Sequence, residues 1–282
     1  RIELQKLKKE GIDGLVLDLR DNGGGSLSDA VSVSGLFLPD GPIVQVRSSE
    51  GHIRILKDRD LATVYDGPMI VLINQFAASA SEILAAAMQD YGRAVVIGGA
   101  HTHGKGTVQA LLDLNRNLPL LHLRKYEDLG ALKVTIQKFY RINGSSTQYK
   151  GIIPDIILPS MLDYLETGEQ YMDNSLPWDS VQSVPHKPWK DGRPDLAAIE
   201  KKTEDYLASS EKFKKIKQES IKAKQRKEET LVPVHLAGVI QERKEAERAR
   251  EEAKAAGVFH SGEEDEKDKD KIVKLKEKAD KK

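Results

Sequence analysis

Apolar residues fall in short runs along the first 160 positions, and each run is bounded by glycine, proline or charge. Residues 1–10 are polar with spaced Ile and Leu, which predicts the end of a helix closed by Gly11. Gly14–Leu19 (GLVLDL) predicts a buried strand that runs into Arg20-Asp21-Asn22-Gly23-Gly24-Gly25. A helix is expected over Ser26–Leu38, capped at Ser26 or Ser28. Strands are expected near 43–48, 52–57 and 69–74, then a helix over Ser79–Tyr91 and a strand over Ala94–Ile97. Thr107–Arg141 is strand-like, with clear alternation from Lys133 to Tyr140, and Lys150–Leu158 predicts a return strand. Alternating strands and helices predict an α/β layer fold with a mainly parallel sheet.

The pattern changes beyond residue 160. Residues 161–196 are rich in turn formers and predict an irregular linker. Residues 197–257 predict charged helices with thin apolar stripes, and 258–282 predict a disordered tail. Charge follows the same division: 42 of the 82 residues after position 200 are charged, against 46 of the first 200. The helical region's charge is most simply a solvated face, and an adaptor-binding surface is the alternative.

With 44 basic and 44 acidic residues the formal net charge is zero, which argues against a nucleic-acid or anionic-membrane coat. The chain has no cysteine, so disulfides, thiolate metal sites and Cys nucleophiles are excluded. No apolar run approaches the length of a membrane span. The chain opens Arg-Ile-Glu-Leu and its first methionine is Met69, so it is read as a fragment and its lack of a leader carries no weight.

Three segments carry candidate chemistry, each at the C-terminal end of a predicted strand, where open α/β sheets place ligands. Gly23-Gly24-Gly25 suits an oxyanion hole or a phosphate nest, or simply a tight turn. In Phe76-Ala77-Ala78-Ser79-Ala80-Ser81-Glu82, Ser79 has small neighbours and sits at a helix start, as a nucleophile would. Ser79 and Glu82 also have capping-box spacing, and on this segment alone an ordinary helix cap is the better explanation. Gly99 to Lys105 matches the start of a P-loop, but Gly106 stands where Ser or Thr must hold magnesium. Lys105 between glycines better suits a semi-buried amine, whose desolvation would make it a base at neutral pH. His101 and His103 lack a third ligand at fitting spacing, and no metal or other cofactor is expected. No histidine has an evident carboxylate partner, so Lys105 is the natural base for a serine nucleophile.

The ordered motifs Asp18-Leu19-Arg20-Asp21-Asn22-Gly23-Gly24, Ser79-Ala80-Ser81-Glu82 and Gly104-Lys105-Gly106-Thr107-Val108-Gln109 resemble the carboxyl-terminal processing peptidases. The similarity continues through Thr135–Arg141, Lys150-Gly151, Pro154-Asp155 and Leu176–Asp179 into charged C-terminal helices like those of the family's tail-specific branch. It covers nearly the whole chain. It implies a crotonase-like α/β catalytic core over 1–160 and a serine endopeptidase with a Ser–Lys dyad, Ser79 as nucleophile and Lys105 as base. Gln109 matches a glutamine that orients the lysine, and on a strand it would share a face with Lys105. The Lys105 loop is one residue longer than the family pattern, so positions are matched by motif. Gly25, then Gly24, with Ala80, match the oxyanion hole.

Asp90 matches an acidic residue assigned to the family's catalytic machinery. A continuous helix would put it about 16 Å from Ser79 along the axis, which favours a structural or indirect role. The resemblance further implies protein substrates with apolar C-terminal tails, a PDZ domain N-terminal to this segment and a periplasmic or cell-envelope location. A non-catalytic protein-binding scaffold of the same fold is the alternative.

Overall fold

In the computed structural model, residues 1–60, 62–117, 128–189, 195–231 and 233–255 are described. The tail expected to be disordered, 258–282, lies outside them. The chain divides into two units, Arg1–Tyr206 and Leu207–Lys282.

The first unit holds a parallel sheet. Strands β1 (Leu15–Asp18), β4 (Met69–Ile73), β5 (Val95–Gly98) and β8 (Ile156–Ile157) lie in the order β1-β4-β5-β8. Leu15 is in register with Met69, Ile70 with Val95 and Ile97 with Ile156, all parallel. Val71 and Val96 are wholly buried, as central parallel strands require. Helix α1 (Ile2–Lys9) precedes β1. Helix α2 (Leu27–Ser34) follows it, with the Ser26 side chain accepting the Asp29 N–H as its cap. Helix α3 (Ala80–Asp90) follows β4 and is the core helix, for Ala85, Ala87 and Met88 are fully buried. Its run of alanines lets it lie close against its neighbours.

The remaining four strands form a second sheet that the expectation of a mainly parallel fold does not contain. Strands β2 (Pro42–Ser48), β3 (Ile53–Lys57), β6 (Thr107–Asp113) and β7 (Ala131–Tyr140) lie in the order β3-β2-β7-β6, with every pairing antiparallel. Only four residues join β2 to β3, and a parallel crossover needs a dozen or more. The return strand expected over Lys150–Leu158 shrinks to Ile156–Ile157. Upstream its amides are engaged elsewhere: Gly151 N donates to Thr147 O and Ile152 N to Thr102 Oγ1.

Residues 160–189 are irregular, as expected, apart from a 3₁₀ turn at Glu169–Tyr171. They are no free linker. They lie within the first unit and are tied along it. Gln75 Nε2 donates to Leu162 O, Trp178 Nε1 to Ser146 O, Val184 N to Ile142 O and Trp189 N to Tyr91 O. Asp179 accepts from Arg47 (2.6 Å), Lys138 (2.5 Å) and the Tyr140 hydroxyl (3.1 Å). Burial alone would push its carboxyl up, but the bonds from Lys138 and Arg47 outweigh that and hold it below the usual carboxylate range. At the far end the buried Arg93 donates to Phe37 O and Tyr65 O, and its guanidinium stacks 4.5 Å from the Trp189 ring.

Helix α4 (Leu196–Ser209) spans the boundary of the units, and the second unit contains α5 (Glu211–Glu228) and α6 (Leu236–Ala255). Lys214–Glu211 and Lys222–Glu219 pairs at i,i+3 line α5, which buries no residue. None of the described helices is long and apolar enough to cross a membrane.

Arg93→Ala strands two buried carbonyls and opens a void beneath Trp189, so unfolding in urea should show a loss of about 3 kcal/mol. Arg93→Lys should recover only part of it, because an ammonium cannot form both bonds and stack.

Candidate active site

The turn between β4 and α3 is held in an unfavourable backbone shape. Ser79 has φ +57° and ψ −112°, a conformation that non-glycine residues adopt only where surroundings force it. The forcing bonds are visible. Ala78 N and Ser81 Oγ both donate to Asn22 O, which ties the turn to the glycine loop after β1. Asn74 joins the same loop, accepting Asp21 N and donating to Asp21 Oδ1. Gly24 has φ +99°, and a Cβ there would meet Ala78 O at 2.6 Å and Ser79 Cβ at 2.9 Å. Only glycine permits that approach.

Glu82, in the first turn of α3, is wholly buried and accepts four hydrogen bonds. Oε2 receives the Ser79 N–H (2.7 Å) and the Lys105 N–H (3.0 Å), and Oε1 receives the Gly104 N–H (2.8 Å) and the Thr102 hydroxyl (2.5 Å). Thr102 Oγ1 itself accepts the Ile152 N–H, so its own proton is committed to Glu82. Burial pushes the Glu82 carboxyl up to about 7, against the pull of its hydrogen bonds. Every acceptor position of the carboxylate is taken, so a proton enters only by displacing a donor.

The capping-box spacing is therefore real, and it does more than cap a helix. One carboxylate fixes both the Ser79 turn and the backbone of Lys105. The sequence carried the signal, Ser79-x-x-Glu82, but not the second set of donors more than 19 residues away.

A pocket of about 250 Å³ opens where these segments meet. Gly25, Ser79, Ala80, Lys105 and Gln109 line it, with Leu27, Ile83, Thr107, Val108, Lys133 and Phe139. Lys105 is half-buried, and no hydrogen bond among the described residues joins its amine to the Ser79 hydroxyl. Gln109 reaches the pocket by a different route from the one expected. Lys105 precedes β6, and a register shift lies between Val108 and Gln109, so simple strand alternation does not relate the two.

Gly24 departs from its expected role. Its N–H donates to Asn22 Oδ1 at 3.0 Å, because the asparagine turns back on its own loop, and an oxyanion cannot use it. Gly25 and Ala80 both line the pocket, the latter at the positive end of α3. Asp90 lies at the opposite end of α3 and outside the pocket. Its carboxylate takes a two-pronged bond from Arg141 (2.5 and 3.1 Å) and one from Asn143 (3.0 Å), which locks α3 to the end of β7.

The P-loop resemblance dissolves. After Lys105 the chain enters strand β6 rather than a helix, and Gly106 N donates to Gln148 Oε1. His101 contacts Thr102 O and Gln170, and burial holds His103 below the usual histidine range. No cluster of three or more metal-ligating side chains occurs among the described residues.

Residues 1–158 match the family model of Peptidase family S41. The chain belongs to this family. Residues 162–282 match a second model, the C-terminal domain of tail specific protease. A Tail-specific protease of Haemophilus influenzae is 49% identical over 181 residues, 64% of this chain and 25% of that protein. A Carboxy-terminal-processing protease of Bartonella bacilliformis is 40% identical over 158 residues, 56% of this chain and 33% of that protein. Among solved structures, a photosystem II D1 C-terminal processing protease is 34% identical, covering 55% of this chain and 36% of that one, with a TM-score of 0.44. The chain thus spans a quarter to a third of the curated S41 relatives named here.

Two outcomes are expected from substitution. A carboxyl held above its ordinary value of 4.5 binds its proton more tightly folded than unfolded, so Glu82 makes stability fall as pH rises from 4.5 to about 7, with no further change above. Glu82→Gln should remove that slope in unfolding curves. It should also slow labelling of Ser79 by a serine-directed phosphonate about tenfold or more at pH 8, because an amide offers the four donors only one acceptor. Asp90→Ala should cost about 3–5 kcal/mol by stranding Arg141, while labelling per folded molecule stays unchanged. A labelling loss without unfolding would instead give Asp90 a part in the chemistry.

Proposed function

We propose that this chain carries the catalytic centre of a serine endopeptidase that works through Ser79 and Lys105. The observation that carries the reading is Ser79 itself, held at φ +57° at the mouth of a pocket that Lys105 also lines. Such backbone strain persists only where surrounding bonds impose it, and here it sets Ser79 on the pocket that Lys105 lines. In this reading Lys105, as the free amine, takes the Ser79 proton while Oγ attacks the scissile carbonyl. The tetrahedral oxyanion is held by the N–H groups of Gly25 and Ala80. Lys105 returns the proton to the leaving amine, an acyl-enzyme forms on Ser79, and water then releases the acid. Gln109 lies in the same pocket and is suited to orient the lysine amine.

The relatives named for tail-specific and carboxy-terminal processing activity support protein substrates handled at their C-terminal tails, and we propose that those tails are apolar. A periplasmic or cell-envelope setting and delivery by an adaptor belong to the same proposal. Tail selection would belong to a PDZ domain outside these residues, and the pocket here would perform the cleavage.

In the full-length protein, Ser79→Ala should lower cleavage of an unfolded substrate with an apolar C-terminus by about 10³-fold or more, with the fold unchanged by circular dichroism. Lys105→Ala should do the same and abolish phosphonate labelling of Ser79. Retained proteolysis in the serine variant would sink the reading, and absence of both cleavage and labelling in the unaltered protein would leave a binding scaffold.

A further inference from the structure

The Lys105 loop is gripped from two sides, and Glu82 is only one of them. On the other side stands Gln148, which is 1% exposed. Its Oε1 accepts the N–H of Gly106, the residue next to Lys105, at 2.8 Å. Its backbone presses so close that a Cβ on Gly106 would lie 2.4 Å from Gln148 N. Its Nε2 donates to Glu169 Oε2 at 3.0 Å. Glu169 closes the circuit through its own backbone, donating its N–H to His103 O at 2.8 Å. Gly168 beside it has φ +117° and approaches His103 O so closely that a Cβ would lie 2.7 Å away.

An amide side chain has one acceptor end and one donor end, and they are not interchangeable here. Gly106 offers a donor and Glu169 an acceptor, so Gln148 is fixed in one orientation. Without Glu169 the amide can rotate and present its NH₂ to the Gly106 N–H, donor against donor. The polarity that seats the catalytic loop is thus set from Glu169. That residue lies in the segment matching the tail specific protease C-terminal domain, beyond the S41 match that ends at 158.

We propose that Gln148 and Glu169 are positioning residues for Lys105. Through the Gly106 N–H and His103 O they set where the lysine enters the pocket, so the C-terminal segment is part of the catalytic apparatus. The proposal rests on the Ser79–Lys105 reading and deepens it. It predicts a cost in turnover rather than in substrate binding, because neither residue lines the pocket.

The test uses the full-length protein, an unfolded substrate with an apolar C-terminus, and a phosphonate to titrate active Ser79. Gln148→Glu places a carboxylate against Glu169 and should lower kcat per titrated site about ten- to a hundredfold, with KM within about twofold. Glu169→Ala, at a half-buried position that tolerates truncation, should act in the same direction. Combining Gln148→Glu with Glu169→Gln exchanges carboxylate and amide, keeps both bonds, and should restore most of the rate. A purely structural role would lower the number of titratable sites and leave the rate per site unchanged. That result, or a swap that fails to restore turnover, overturns the proposal. Ser79→Ala run in parallel separates the two ideas: a live serine variant removes the dyad itself, whereas a dead one beside unaffected Gln148 and Glu169 variants removes only the positioning role.

Discussion

One buried carboxylate organises the centre of this molecule. Glu82 gathers the Ser79 turn, the Thr102 hydroxyl and the amides of Gly104 and Lys105 onto two oxygen atoms. These groups come from two segments, the start of a helix and a loop after the next strand, which the His103 N–H bond to Ala77 O also joins. Burying an ionisable group normally costs stability, and here the upward displacement of its carboxyl to about 7 reports that cost. The four donors offset part of it, and each donor lost leaves more of it unmet. The arrangement therefore stands or fails as a unit, which suits a site that must hold a strained serine and a lysine in fixed relation.

The architecture around that carboxylate follows the same logic. The parallel sheet supplies rigid strand ends, and the loops after β1, β4 and β5 converge there. The antiparallel sheet supplies the opposite pocket wall through β6 and β7. The irregular stretch beyond residue 160 ties β2 to β7 at Asp179 and stands behind the lysine loop at Glu169. Asp90 contributes to this frame from the far end of α3, by anchoring Arg141.

Much of this was legible in the sequence, and the limits have physical causes. Runs such as Met69–Ile73 and Ala80–Asp90 are apolar and cleanly bounded, so local pattern is enough to place them. Ser79 and Lys105 stood out because small neighbours and flanking glycines are local properties as well. Three things were not local. Whether β2 and β3 pair as a hairpin depends on connection length more than on composition. Which glycine amide faces the pocket depends on whether Asn22 turns back to claim one, and it claims Gly24. That Gln148 and Glu169 bear on Lys105 depends on contacts across 42 and 66 positions, and neither residue belongs to a motif. Glu82 lay between these cases: its spacing from Ser79 announced a cap, and nothing nearby announced its other partners.

The segment after residue 160 changes what a boundary means in this chain. The two family matches part between 158 and 162, yet the first folded unit continues to Tyr206. Shared ancestry and physical cohesion thus divide the polypeptide at different places. A lineage that exchanged its C-terminal region for another would not be swapping an ornament. It would inherit a new neighbour for the Lys105 loop in place of Glu169.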